Sequence, residues 1–156
     1  MIPVTIRPYQ DKDFPAVCRL EEAGEPRSRR SAVFIRQMGA VSPDLSLVAL
    51  LDDEVIGYTI GVPVTNNPTE AWILRLGVRE DQRRNGVGTI LLAELMDLFC
   101  AHGVRTVRLT VSPWNVPATE LYLKAGFEQE AYHEAYFGED EDRIVMKKEC
   151  SAGVHS

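Results

Sequence analysis

From Glu70 to Asp97 the chain reads EAWILRLGVREDQRRNGVGTILLAELMD. Its first nine residues are apolar on both sides of the alternation, which is the pattern of a central strand covered on two faces. Its last part is an apolar helix expected over about Gly86 to His102, stopped by Gly103. A short glycine-spaced turn joins the two. A strand buried on both faces and passing directly into a helix requires helices packed on a sheet, so the chain is α/β.

The remaining elements fit that frame. VTIRPY reads as a strand stopped at Pro8, and DKDFPAVCRLEEA as a helix capped by Asp11 or Asp13 and broken by Gly24 and Pro26. SRRSAVFIRQMG reads as a second helix ending at Gly39. LSLVALLDDEVIGYTIGVPV reads as a hairpin with Asp52-Asp53-Glu54 at its tip, and Ile56, Tyr58 and Ile60 alternate after it. NNPT reads as a loop and RTVRLTV as a strand. A short helix then starts near Pro117 and ends at Gly126. FEQEAYHEAYF reads as a strand, GEDED as a hairpin tip and RIVMKKE as the returning strand. At 156 residues, with no repeat or linker, one domain over 1–150 is expected, with SAGVHS (151–156) as a frayed tail.

Composition excludes several classes. The net charge is −6 with no basic stripe among aromatics, which disfavours a nucleic-acid partner. No apolar stretch reaches the ~18 residues of a membrane span, and the N-terminus has no signal-peptide pattern, so a cytoplasmic protein is expected. Cys18, Cys100 and Cys150 form no CxxC pair and no metal spacing. They are expected as thiols in a reducing compartment, with no metal site.

The turn itself suits an anion. Helix N-termini offer unpaired N–H groups and partial positive charge. Gly86 and Gly88 let the backbone curl around one point, and Arg83 and Arg84 add charge and forked donors. A pyrophosphate fits best. No GxxxxGK[ST] run is present, and Leu91 stands where a GxGxxG motif needs its third glycine. The pattern Q/R-x-x-G-x-G/A fits Gln82 to Gly88, with Asn85 before the first glycine. A plain glycine-eased turn with two solvated arginines is the alternative.

WILRLGVREDQRRNGVGTILLAELMD resembles motif A of the GNAT superfamily of acetyl-CoA-dependent N-acyltransferases, and VRLTVSPWNVPATELYLKAGF resembles its motif B. IRPYQDKDFPAVCRLEEA and the C-terminal hairpin follow the same layout. The resemblance implies a GNAT fold: a mixed central β-sheet with splayed parallel strands, flanked by helices. It implies that acetyl-CoA, as cosubstrate, lies where strands Ala71–Val78 and Thr106–Val111 part. The backbone of Leu76, Gly77 and Val78 would pair with the pantetheine arm, and its amides would face the thioester oxygen. Arg83, Arg84, Gly86, Val87, Gly88 and Thr89 would hold the pyrophosphate, and Asn115 would bond the cofactor's arm. Tyr122 matches the family's tyrosine near the sulfur, a general acid for the leaving thiolate; the alternative is a packed helix tyrosine.

The resemblance implies direct attack by a neutral amine. Where many relatives carry a strand glutamate as base, Arg75 and Thr110 stand here. The base is open among Glu21, Glu22, Glu70, Glu130, His133, Glu134 and a water chain. An α-amine, with pKa ~8 against ~10.4 for lysine, needs the weaker base. AYFGEDEDRIVMKK resembles a segment of protein N-terminal acetyltransferases, including the bacterial ribosomal-protein alanine acetyltransferase, where Tyr136 and Phe137 would line a peptide entrance. The leading acceptor is therefore a protein or peptide N-terminal amine. The alternatives are a small amine (a polyamine, an amino-acid derivative or an aminoglycoside) and a non-catalytic acetyl-CoA-binding module. The resemblance also admits a homodimer. Glu139 to Asp142 reads as a solvated hairpin tip or an attractor of cations, and Arg27 to Arg30 as a helix start or an anion contact.

Overall fold

The computed structural model describes residues 3–24 and 28–150, with the side chains of 23, 24 and 28–30 left aside. The tail at 151–156, Pro26 and Arg27 lie outside the described residues, as do the side chains of Arg29 and Arg30. The elements run β1 (Thr5–Pro8), α1 (Phe14–Gly24), α2 (Ser28–Val41), β2 (Ser46–Leu51), β3 (Glu54–Val64), β4 (Asn67–Val78), α3 (Val87–Ala101), β5 (Thr106–Val111), α4 (Val116–Lys124), β6 (Glu128–His133) and β7 (Arg143–Glu149). The strands follow the order β1-β2-β3-β4-β5-β7-β6. Two compact units share β4: Met1–Val62 with Arg75–Leu95, and Pro63–Leu74 with Met96–Ser156.

In the first unit β1, β2 and β3 are antiparallel. The β2–β3 turn places Asp52 and Asp53 at φ 51° and 64°, the backbone of a type I′ turn. Its core is built from Val17 of α1, Ile35 of α2, Val48, Ile56, and Val87, Leu91 and Leu92 of α3, each 2% exposed or less. Gly39 does not end α2, which continues to Val41. A Cβ there would lie 2.7 Å from Tyr9 Cε1, so the glycine makes room for a ring rather than stopping a helix.

The start of α1 is fixed by a buried charge. Gln10 is the N-cap of the 3-10 turn Asp11–Asp13 that leads into α1, and Asp13 returns to accept the Gln10 N–H at 2.8 Å. Arg7 grips both Asp13 oxygens, at 2.8 and 2.9 Å. Burial pushes the Asp13 carboxyl up, but Arg7 and the Gln10 amide outweigh it and hold the pKa below its usual value. A depressed carboxyl stabilises the fold above its unfolded pKa of ~3.9, and that contribution is lost as pH falls through the lower folded value. Asp13→Ala is expected to cost about 2–4 kcal/mol at pH 7, because it strands Arg7 and a cap amide. Melting at pH 7 and again below pH ~4 checks this: the gap between mutant and wild type should narrow in acid.

In the second unit β4 and β5 are parallel, while β5–β7 and β6–β7 are antiparallel. Phe99, Val104, Val107, Leu109 and Met146 form its core. Asn67–Thr69 belong to β4 rather than to a loop. Cys100 and Cys150 are disulfide-bonded, against the expectation of three thiols, and Cys18 alone is free and buried. The pairing of β7 with β5 carries Cys150 to the end of α3, where the Cys150 N–H bonds the Arg105 carbonyl at 2.7 Å. Sequence spacing gives no hint of this, since 50 residues separate the pair. Glu134–Phe137 also depart from the expected strand: β6 ends at His133 and Ala135 turns at φ 49°. Asp142 is more than a solvated tip residue; it accepts the Tyr132 hydroxyl and the Ala135 N–H, both at 2.8 Å. The Ala135 amide first, then Tyr132, lowers its pKa.

Candidate active site

In the first unit β4 runs into a 3-10 turn, Glu80–Gln82, and then into α3. The turn is tied down at Arg79, whose N–H bonds the Ile56 carbonyl at 2.7 Å. The Arg79 side chain meets Glu54 at 3.3 Å and Asp81 at 2.6 Å, so these carboxylates are paired beside the turn. Arg83 donates Nε to the Val78 carbonyl at 3.0 Å, which folds its side chain back over the strand end. Arg84 and Gly86 take positive φ, 70° and 83°.

The helix then begins. Ile90 N–H bonds the Gly86 carbonyl at 3.0 Å, so the amides of Val87, Gly88 and Thr89 precede that first bond of α3. Val87 is 1% exposed and anchors the turn in the core, while a Cβ on Gly86 would meet nothing within 4 Å. An open face, leading amides and two arginines fit a pyrophosphate. One unit thus brings together Leu76, Gly77, Val78, Arg83, Arg84, Gly86, Val87, Gly88 and Thr89. Gly77 has a reason that the sequence did not show: a Cβ there would lie 2.6 Å from Tyr58 Cε1.

In the second unit the parallel ladder joins Glu70–Ile73 to Thr106–Leu109. The last residues of β5, Thr110 and Val111, pair with Val145 and Ile144 of β7. Asn115 is the N-cap of α4 and accepts the Ala118 N–H at 3.2 Å, with a proline in the first turn. Seven residues on, Tyr122 is 8% exposed and packs edge-on against Phe127, ring centroids 6.0 Å apart. Burial pushes its phenol up to about 12, so it keeps its proton throughout the neutral range.

Most candidate bases are otherwise engaged or exposed. Arg108 bonds Glu70, and it meets Glu130 at 2.8 Å. The Arg108 hydrogen bond lowers the Glu130 pKa, which makes Glu130 a poorer proton acceptor. Glu22 and Glu134 are exposed, and exposed His133 stacks on Tyr136 at 4.9 Å. Glu21 differs. It is 6% exposed, takes a hydrogen bond from buried Tyr58, and meets Arg75 Nε at 3.1 Å. In the sequence Tyr58 reads only as one residue of an alternating strand, and nothing in that pattern marks a polar partner.

The fold recurs in known proteins. The chain is similar to Ard1 from Thermoplasma volcanium, with a TM-score of 0.87 and 27% identity over 95% of this chain and 98% of that one. It is 26% identical to the [ribosomal protein bS18]-alanine N-acetyltransferase of Escherichia coli over 145 residues, 91% of this chain and 95% of the relative. The crystal structure of the Escherichia coli ribosomal-protein-S18-alanine N-acetyltransferase matches with a TM-score of 0.81 and 26% identity, over 96% of this chain and 95% of that one. The L-2,4-diaminobutyric acid acetyltransferase of Nocardia farcinica is 29% identical over 80 residues, 51% of this chain but 42% of the relative. The chain thus spans less than half the length of that relative, and half that of its Virgibacillus pantothenticus counterpart. The family profile described as acetyltransferase (GNAT) matches residues 6–127. That match takes in both the glycine turn before α3 and the whole of α4, and the chain belongs to the GNAT acetyltransferase family.

Proposed function

We propose that the chain transfers the acetyl group of acetyl-CoA to a primary amine by direct attack, and that the amine is the N-terminal α-amine of a protein or peptide. The turn before α3 carries the first part: leading amides, positive φ at Arg84 and Gly86, and an open glycine face suit the cofactor's pyrophosphate. The amides of Leu76–Val78 stabilise charge growing on the thioester oxygen. Asn115, with Oδ1 used by Ala118, turns its side-chain amide donors to the cofactor's arm. Tyr122 protonates the leaving thiolate.

The α-amine acceptor is supported by the length of the sequence alignments. The Escherichia coli alanine N-acetyltransferase aligns over 91% of this chain, whereas the diaminobutyric acid enzyme aligns over 51%. That second relative supports the other reading, a small diamine or amino-acid derivative. Among the described residues no helix is long and apolar enough to cross a membrane. A cytoplasmic setting goes with the use of acetyl-CoA, although the Cys100–Cys150 bond would tend to be reduced there. A homodimer would cover exposed Trp114, Val116 and Leu123, and light scattering tests it.

The deciding experiment offers peptides with free N-termini, polyamines and diamino acids to the enzyme with acetyl-CoA, and reads the products by mass. Acetylated peptide α-amine is expected. Turnover of the small amines alone would transfer the assignment to them, and acetyl-CoA binding without turnover of any amine would make the chain a binding module.

A further inference from the structure

Among the described residues of the first unit two carboxylates, Asp13 and Glu21, are buried, and they differ in one respect. Asp13 uses both oxygens: Arg7 grips each, and the Gln10 amide adds a third bond. Glu21 uses one. Tyr58 Oη and Arg75 Nε both reach Oε1, while Oε2 is sealed from solvent with no hydrogen-bond partner among the described residues. A buried carboxylate that serves only structure is normally satisfied at both oxygens, because an orphaned one is costly. Glu21 keeps accepting capacity that the fold leaves unused.

Its partner sits beside the chemistry. The Tyr58 ring lies on Gly77, and the hydroxyl oxygen is 3.2 Å from where a Gly77 Cβ would be. Gly77 is the middle residue of the segment assigned above to the thioester. Arg75, its guanidinium 4.4 Å over the Phe34 ring, is fixed against Glu21 from the same strand.

We propose that Tyr58 and Glu21 form the proton-accepting pair of the reaction. This rests on the transfer reading above. As the acceptor's ammonium N–H bond breaks, its proton passes to Tyr58 Oη, and Tyr58's own proton passes to the Glu21 carboxylate. The freed amine nitrogen bonds the thioester carbon, the C–S bond breaks, the coenzyme thiolate takes a proton from Tyr122, and the second amine proton, shed as the amide forms, restores the Tyr122 hydroxyl. Glu21, left as a carboxylic acid, returns its proton through Tyr58 after the product leaves. Burial first, then the Glu21 charge, raises the Tyr58 pKa, so the phenol relays protons without resting as phenolate. The other titratable groups acting on the pair are Cys18 on α1 and Arg75 on β4. Glu22 and Arg36 act on Cys18, and Tyr9 lines the same small cavity as Tyr58.

The test compares wild type, Glu21→Gln, Tyr58→Phe and the double variant over pH, using an alanine-initiated peptide or whichever amine the acceptor screen returns. At pH 7, where about one α-amine in ten is neutral, each single variant should lose about tenfold or more in kcat, and the double variant hardly more than either. Above the acceptor's own pKa, ~8 for an α-amine, the amine is already neutral and the deficit should shrink to a few-fold. Acetyl-CoA affinity should hold in all of them. A deficit equal at every pH, or turnover near wild type at pH 7, overturns the pair. Tyr58→Phe keeps the ring on Gly77 and carries the test if Glu21→Gln does not fold. Failure of the peptide reading alone shows as wild-type turnover of small amines only, and the pH comparison then proceeds on those. A wild type that acetylates no amine overturns the transfer reading and the pair together.

Discussion

Tyr122→Phe is expected to lower kcat by about 10²–10⁴, the range for loss of a general acid. The substitution keeps the ring, its edge-on contact with Phe127 and the burial of α4, so no cavity forms and the melting temperature should hold. Acetyl-CoA affinity should change little, since the hydroxyl acts chiefly as the C–S bond breaks. The pH profile adds a second check. A general acid works while protonated, so its contribution is lost only as pH rises through its pKa, and burial places that at about 12. Wild-type kcat should show no descending limb from Tyr122 through the neutral and mildly alkaline range. Kinetics, calorimetry and melting on one preparation decide the matter: a folded, cofactor-binding mutant within a few-fold of wild type means Tyr122 only packs.

Replacing both Arg83 and Arg84 with alanine should raise the acetyl-CoA KM tenfold or more, with a smaller change in kcat. A charge-assisted contact contributes roughly 1.5–3 kcal/mol, and it is present equally in the ground and transition states. The loss should also weaken the salt dependence of binding, because exposed charges act through a screened field. Both side chains are exposed, so stability should barely move. An unchanged KM would mean that the α3 amides hold the phosphates without help.

The strand and helix alternation was legible because each element carries its own period. Val107, Leu109 and Val111 are buried while their neighbours are half-buried, and the strand reads so directly. The turn at Gln82 to Gly88 was legible for a related reason: glycine spacing and paired arginines are local. What escaped was non-local. Gly39 reads as a stop until Tyr9 lies against it, and EAYF reads as strand until Asp142 takes the Ala135 amide. Glu21 stood among several equal carboxylates, and only the tertiary neighbours Tyr58 and Arg75 separate it from the rest. Cys100 and Cys150 look unrelated until β7 returns beside β5.

That last bond makes the final third of the chain a closed ring. Cys100 and Cys150 enclose β5, α4, β6 and β7, together with Asn115 and Tyr122. In the loop-entropy account a ring of 50 residues removes about 4 kcal/mol of freedom from the unfolded chain. The topology has a separate effect. A protease that cuts once at the exposed Glu134–Asp140 bend opens the ring without dividing the molecule. The nicked protein would keep both cut ends on one covalent body, run at full mass without reductant, and part into two fragments only when the bond is reduced.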